Sequence, residues 1–317
     1  MRNDIPESLR MMQHFLAIRD VSPEQFNDLI DLSIRRKAEF RAGQIQRVLT
    51  GKTLAMIFQK SSLRTRLGFE VAMAQLGGHA VNLEDHQIGV NRREDIRDVA
   101  RVISSMCDGI MARVYGHQIV VELAAASRVP VINGLSDWSH PCQALADMMT
   151  IKERFGQFAG LKLAYIGDGN NVARSLMNAC AKLGISIAIA SPEGYELETG
   201  IVEYASALVR GSGATLTLTR DPAEAAADAD VLYTDVWTSM GQEAEREVRE
   251  KAFAGYQINA ALLTKAKPTA VVMHCLPAYR GLEITDEVLD GPQSVVYEQA
   301  ENRLHSQRAL LELLLDR

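Results

Sequence analysis

The sequence predicts an α/β protein: two doubly wound parallel-sheet domains joined by interdomain helices. Three observations carry that expectation. Short apolar runs recur along the chain; between them lie stretches whose apolar residues repeat at helical spacing; and the alternation falls into two series, divided by one longer helical stretch after Pro141. Strands joined by crossover helices are the rhythm of a parallel sheet with helices on its faces.

Ser22-Pro-Glu-Gln25 has the form of a capping box with proline at the first helical position, and Phe26, Leu29, Ile30 and Ile34 then recur at helical spacing. Thr53 to Phe58 reads as a buried strand, Leu67 to Leu76 as a helix stopped by Gly77-Gly78, and Ala80 to Leu83 as a short strand. Ile96, Val99, Val102, Ile103 and Met106 mark a helix, Ile110 to Val114 a strand, Ile119 to Ala126 a helix, and Val129 to Asn133 a strand. From Pro141 a helix carrying Ala144, Leu145, Met148 and Ile151 runs to Phe155-Gly156, and the domain joint belongs on it, between residues 147 and 148. A second Rossmann-like series follows, with strands at Leu161 to Ile166, Ile185 to Ala190, Thr215 to Thr219, Val231 to Thr234 and Ala270 to Met273. The last segment, Ala300 to Leu315, is a helix whose Leu304, Leu310, Leu311, Leu314 and Leu315 need a face to bury against.

A chain of 317 residues with 47% hydrophobic content can bury the cores of two such domains. Its 34 Lys plus Arg against 40 Asp plus Glu leave a formal charge of −6, which argues against nonspecific binding to nucleic acid or anionic membranes. Cys107, Cys142, Cys180 and Cys275 form no C-x-x-C pair, and no histidine cluster has metal-ligand spacing, so the chain reads as reduced, cytoplasmic and without a metal site. The opening residues Met1 to Glu7 carry acids and no apolar stretch, and no run approaches the roughly 18 apolar residues of a membrane span.

In an open parallel sheet, ligands collect beyond the carboxyl ends of the strands, where helix N-termini present unpaired N–H groups. Ser61 to Arg66 lies at such an end. Ser62 and Thr65 supply hydroxyls and Arg64 a two-pronged guanidinium, which together make a phosphate cradle or, more blandly, a helix cap with arginines paired to acids such as Glu70. Arg113 ends another strand, and His140-Pro-Cys-Gln143 opens the interdomain helix; each could equally be an ion-pair partner or a core residue. Gly167-Asp-Gly-Asn-Asn171 is a weak dinucleotide fingerprint, since it lacks the third glycine and the next strand ends in Ala190-Ser191-Pro192 with no acid nearer than Glu193. It is a turn that aims Asn171 at a small ligand, or a turn alone. Asp235-Val-Trp-Thr-Ser-Met-Gly241 puts an acid at the end of its strand, suited to a cationic group. His274-Cys-Leu-Pro277 puts a thiol in a similar place, reactive or merely packed.

Taken together, Ser62-Leu-Arg-Thr-Arg66, His140-Pro-Cys-Gln143, Asp235 with Ser239-Met-Gly241, His274-Cys-Leu-Pro277 and Glu301-Asn-Arg303 resemble the ornithine carbamoyltransferases of the aspartate/ornithine carbamoyltransferase superfamily. The resemblance implies a carbamoyl-phosphate domain over residues 1–147, with the helix 300–317 packing back on it, and an ornithine domain over 148–299. It implies that Ser62, Leu63, Arg64 and Thr65 hold the phosphate, that Arg113, His140 and Gln143 face the carbamoyl group, and that Arg303 completes the charge. Gln87, within His86-Gln-Ile-Gly-Val90, would reach the site of a neighbouring chain in a homotrimer with active sites at subunit interfaces. On the acceptor side the resemblance carries over Asn171, Asp235, Ser239 and Met240 as ornithine contacts, with Cys275 and the Leu276 backbone at the reacting centre. The catalytic set it implies is Cys275, Asp235, Arg64, Arg113 and His140, and the chemistry calls for no cofactor, because carbamoyl phosphate arrives activated.

Two positions depart from the usual pattern: Leu63 stands where threonine is common and Tyr279 where histidine is common. Aspartate as acceptor would meet Asp235 as a like charge, worth roughly 4 kcal/mol at about 4 Å and an effective dielectric near 20. Three other readings remain open on sequence: a carbamoyltransferase for putrescine, lysine or an acylated ornithine; a nicotinamide-dependent dehydrogenase built on the glycine turn; and a noncatalytic sensor that keeps the fold.

Overall fold

The structure, a computed structural model, describes residues 5–44, 46–89, 93–239 and 241–316. It divides into two compact units, residues 1–153 with 301–317, and residues 154–300.

After two short 3-10 turns (Glu7–Leu9 and Ile18–Asp20), the first unit forms α1 (Pro23–Arg41), whose start is fixed by reciprocal hydrogen bonds between Ser22 and Gln25, with Pro23 in the first turn. There follow β1 (Thr53–Phe58), α2 (Leu63–Gln75), β2 (His79–Glu84), α3 (Asp85–Ile88), α4 (Ile96–Met106), β3 (Gly109–Arg113), α5 (His117–Ala126), β4 (Val131–Leu135) and α6 (Pro141–Phe155). The four strands are all parallel, in the order β2-β1-β3-β4. Ile57, Ile110, Ala112 and Val131 from the sheet pack with Val99, Val120 and Leu123 from α4 and α5. The joint expected at 147/148 lies on α6, as does the division at 153/154.

The second unit contains β5 (Lys162–Ile166), α7 (Asn171–Leu183), β6 (Ser186–Ala190), α8 (Thr199–Val209), β7 (Leu216–Thr219), α9 (Pro222–Ala226), β8 (Val231–Thr234), α10 (Arg246–Ala252), α11 (Ala260–Leu263), β9 (Val271–His274) and α12 (Asp286–Leu289). Its sheet is again parallel, ordered β7-β6-β5-β8-β9. The last helix, α13 (Val296–Leu315), starts in the second unit and ends in the first. There the helix is buried all round from His305 to Leu315, which covers Leu310, Leu311, Leu314 and Leu315 as expected but leaves Leu304 half-buried, and Glu312 accepts from the Arg36 guanidinium of α1 at 2.6 Å.

Strand order reverses between β1 and β3 in the first sheet and between β5 and β8 in the second, and such switch points open the crevices where ligands sit. At the carboxyl ends of β1, β3, β5 and β8 stand Ser62, the cap of α2; Arg113, the last residue of β3; Asn171, the first residue of α7; and Asp235, just past β8. Three helices start earlier than expected: α5 at His117 rather than Ile119, α13 at Val296 rather than Ala300, and α2 at Leu63 rather than Leu67, the last because its polar first turn is nucleated by the Ser62 cap and carries no apolar period. The short helices α3, α9, α11 and α12, at four or five residues each, are too brief to announce a period. Among the described residues, no helix is long and apolar enough to cross a membrane.

Candidate active site

In the first unit, Ser62 caps α2: its Oγ accepts the Thr65 N–H at 3.2 Å. Leu63 is therefore the first helical residue, and its side chain is 72% exposed. What position 63 offers a ligand is a backbone N–H at a helix start, so leucine in place of threonine removes nothing from that donor. Arg66 is exposed and pairs with Glu70 at 2.9 Å, so for this arginine the bland ion-pair reading is correct. Arg64 is half-buried.

Arg113 ends β3 at 6% exposure, and the register with β4 shifts between Ala112 and Arg113. A bulge of that kind re-aims the side chain at the strand end. His140 lies just before α6 and is buried; burial above all, then the guanidiniums of Arg303, Arg113 and Arg64, hold its imidazole well below the ordinary histidine range. Three arginines thus act on one neutral ring. Arg303 of α13 donates from Nη1 to Gln143 Oε1 at 2.7 Å and from Nη2 to Thr65 Oγ1 at 3.2 Å. Gln143 passes the interaction on, donating from Nε2 to Asp147 Oδ1 at 2.8 Å. Asp147, fully buried one helical turn beyond Gln143, is an acid that sequence reasoning missed; its i,i+4 spacing was the available signal. Gln87 stands apart from this group, exposed on α3, with its Oε1 accepting the Glu84 N–H at 2.9 Å.

In the second unit, Asp235 follows β8 and receives hydrogen bonds on both oxygens. Oδ1 accepts from the Cys275 thiol at 2.9 Å and from the Val236 N–H at 2.8 Å, while Oδ2 accepts from Asn170 Nδ2 at 2.9 Å. Asn171 is the first residue of α7 and half-buried. Ser239 is half-buried too, and its N–H donates to Gln242 Oε1 at 3.0 Å. Met240 lies outside the described residues. The Tyr165 phenol is pushed well above its usual range, first by burial and then by Asp235, Asp168 and Cys275, so it stays an O–H beside the carboxylate.

The Cys275 turn is held from behind. Leu276 has a left-handed φ of 55°, precedes a cis Pro277, and donates its N–H to His274 Nδ1 at 2.8 Å. That leaves the His274 proton on Nε2, which donates to Glu283 Oε1 at 3.0 Å; the same oxygen takes the Tyr279 N–H at 2.6 Å. Asp235, His274 and Cys275 bring ligand atoms within 4.8 Å of one another. To bind a metal, however, His274 would have to give up one of those two hydrogen bonds. Tyr279 keeps to local contacts, its ring lying 5.5 Å from the Arg246 guanidinium.

The glycine turn after β5 is closed. A Cβ on Gly169 would lie 2.6 Å from the backbone of Glu196 and Leu197, so the chain's own loop occupies the approach that a pyrophosphate uses in dinucleotide folds. Asp168 pairs with Arg249 at 2.9 Å, and burial pushes its carboxyl up to about 6. Glu193, the nearest acid for a ribose, pairs with Arg220 at 3.1 Å.

Comparison with known proteins then decides the family. The carbamoyl-P binding domain of the aspartate/ornithine carbamoyltransferases matches residues 13–153, and their Asp/Orn binding domain matches residues 159–314. The chain belongs to the aspartate/ornithine carbamoyltransferase family. The ornithine carbamoyltransferase of Pyrococcus abyssi is 54% identical over 95% of this chain and 95% of its own length; that of Bacillus subtilis is 53% identical over 95% and 93%. The solved ornithine carbamoyltransferase of Pyrococcus furiosus superposes with a TM-score of 0.93 at 52% identity, covering 96% of this chain and 97% of that one. Even the ornithine transcarbamoylase of Giardia lamblia, 34% identical, reaches a TM-score of 0.87 over 96% and 98%. Carbamoyltransferase membership and the closed glycine turn together dispose of the dehydrogenase reading.

Proposed function

We propose that this chain transfers the carbamoyl group of carbamoyl phosphate to the δ-amine of L-ornithine, giving L-citrulline and phosphate. One observation carries the reading: the two switch-point clusters have opposite character, guanidiniums around a neutral His140 in the first unit and a hydrogen-bonded Asp235 in the second. A doubly anionic donor and a cationic acceptor are what such a pair of clusters selects. Relatives named ornithine carbamoyltransferase, more than half identical over nearly the whole chain, support the same acceptor.

In this mechanism Ser62, Arg64, Thr65 and the N–H of Leu63 hold the phosphate, with Arg303 beside Thr65. Arg113, His140 and Gln143 polarise the carbamoyl oxygen. Because His140 is neutral, it contributes a hydrogen bond to the developing oxyanion rather than a full charge. Asn171, Asp235, Ser239 and Met240 hold ornithine. An amine with a pKa near 10.4 is nucleophilic in only about one molecule in two thousand at pH 7, so a proton must leave it at the site. The Cys275 thiol, already donating to Asp235, relays that proton. With that proton passed on to the Asp235 carboxylate, the amine nitrogen bonds to the carbamoyl carbon, the C–O bond to phosphate breaks, and phosphate departs with the electron pair and takes up the second proton that the nitrogen loses.

The working assembly in this reading is a cytoplasmic homotrimer in which Gln87 serves a neighbouring subunit's site; its exposed place on α3 leaves it free to do so. The test supplies purified protein with carbamoyl phosphate and, in turn, ornithine, putrescine, lysine, an acylated ornithine and aspartate. Citrulline and phosphate in equal amounts from ornithine, well ahead of every other amine, is the expected result. Preference for another amine moves the acceptor assignment, and no product from any of them overturns the activity.

A further inference from the structure

The Gly167-Asp-Gly-Asn170 turn has the form of a phosphate-binding turn but no room for a phosphate, and its side chains do something else. Both grip the loop that follows β8. Asp168 accepts from Arg249 Nη1 at 2.9 Å, and that same Nη1 donates to the Trp237 carbonyl at 3.1 Å. Asn170 donates from Nδ2 to Asp235 Oδ2 at 2.9 Å.

The orientation of the Asn170 amide is forced. Its Oδ1 accepts the N–H groups of Val172 and Ala173, at 2.9 and 3.1 Å, as the N-cap of α7, and the Tyr165 hydroxyl lies 3.5 Å away. A flipped amide would set its NH₂ against two N–H donors and its oxygen against a carboxylate. Asp235 benefits from that rigidity. With Oδ1 committed to Cys275 and Val236, the Asn170 bond to Oδ2 fixes the tilt of the carboxylate plane, and without it the plane can swing and lengthen the thiol contact.

We propose that Asn170 is a positioning residue for the acceptor half of the reaction, coupling the start of α7, where Asn171 sits, to the carboxylate of Asp235. One side chain thereby sets two acceptor contacts in a single geometry. The inference rests on the carbamoyl transfer to ornithine described above.

Asn170→Asp and Asn170→Ser test it, because both keep an oxygen that can cap α7 while losing the amide donor. The aspartate also faces Asp235 with a second carboxylate, in a neighbourhood that already holds Asp168, Tyr165 and Cys275. Both variants are expected to keep the wild-type melting temperature within a few degrees and an unchanged calorimetric Kd for carbamoyl phosphate. Their kcat/KM for ornithine is expected to fall on the order of 10- to 100-fold, more for Asn170→Asp than for Asn170→Ser. Wild-type kcat/KM in both folded variants overturns the proposal. So does a fall in melting temperature and donor affinity in step with activity, which marks Asn170 as a folding residue only. A wild-type protein that makes no citrulline takes down the functional reading as well, whereas an active wild type beside equally active variants removes this inference alone.

Discussion

The two clusters sit at equivalent places in two parallel sheets yet solve opposite electrostatic problems. In the first unit Arg113 and Arg303 are buried at 6% and 3% exposure, and the acid that answers them, Asp147, stands behind Gln143 instead of in front of the guanidiniums. In the second unit the acid is in front: Asp235 is met by a thiol, an amide and a backbone N–H, while the nearby cation Arg249 is turned away to Asp168 and Glu245. The same architecture recurs in both units, and the side chains at a few strand ends and helix starts give the two clusters their opposite charge.

That contrast can be broken one side at a time. The largest effect is expected from Cys275→Ala, which should lower turnover about 10²- to 10⁴-fold, the range for loss of a proton-transfer group, while leaving carbamoyl phosphate binding intact. Single-turnover citrulline formation and donor calorimetry would separate the two, and equal turnover would remove the thiol from the chemistry. Next comes Arg113→Gln, expected to cost about 10²- to 10³-fold in kcat and to weaken the donor, as loss of one oxyanion donor does. Unchanged kcat and donor affinity there would mean that the buried cations serve the fold and not the donor.

The smallest effect concerns His140. Its folded pKa lies below the unfolded value near 6.5, so the unfolded chain binds the extra proton; stability from the neutral ring is full above that value and is lost as pH falls through it toward the folded pKa. The imidazole should show no titration by NMR between pH 6.5 and 8, and His140→Gln should flatten the acid side of the stability profile. A His140 inflection within that window would contradict the neutral ring.

Much of this was legible in the sequence because parallel strands are buried on both faces and read as unbroken apolar runs, so their ends, and hence Ser62, Arg113, Asp235 and Cys275, could be located by eye. Supporting residues were not legible. Asp147 left only the i,i+4 spacing to Gln143 as a signal, whereas Asn170 and Glu283 act through partners that folding brings to them: Asn170 reaches Asp235 across 65 positions of sequence, and Glu283 braces a turn nine residues before it. Helix α8 lacks a readable signal for a different reason: seven of its eleven residues are apolar but only Ala205 is fully buried, so no one-sided stripe marks it.

The path of α13 bears on how the protein is made. Residues 301–317 complete the first unit, with Leu315 against Gly109 at the start of β3 and Glu312 locked to Arg36, so the second unit is in effect an insertion within the first. In synthesis from the N-terminus, residues 154–300 therefore emerge before the segment that completes the first unit. Residues 154–300 can finish their sheet while the earlier-made unit still waits for its closing helix, and its cation cluster lacks Arg303 until then.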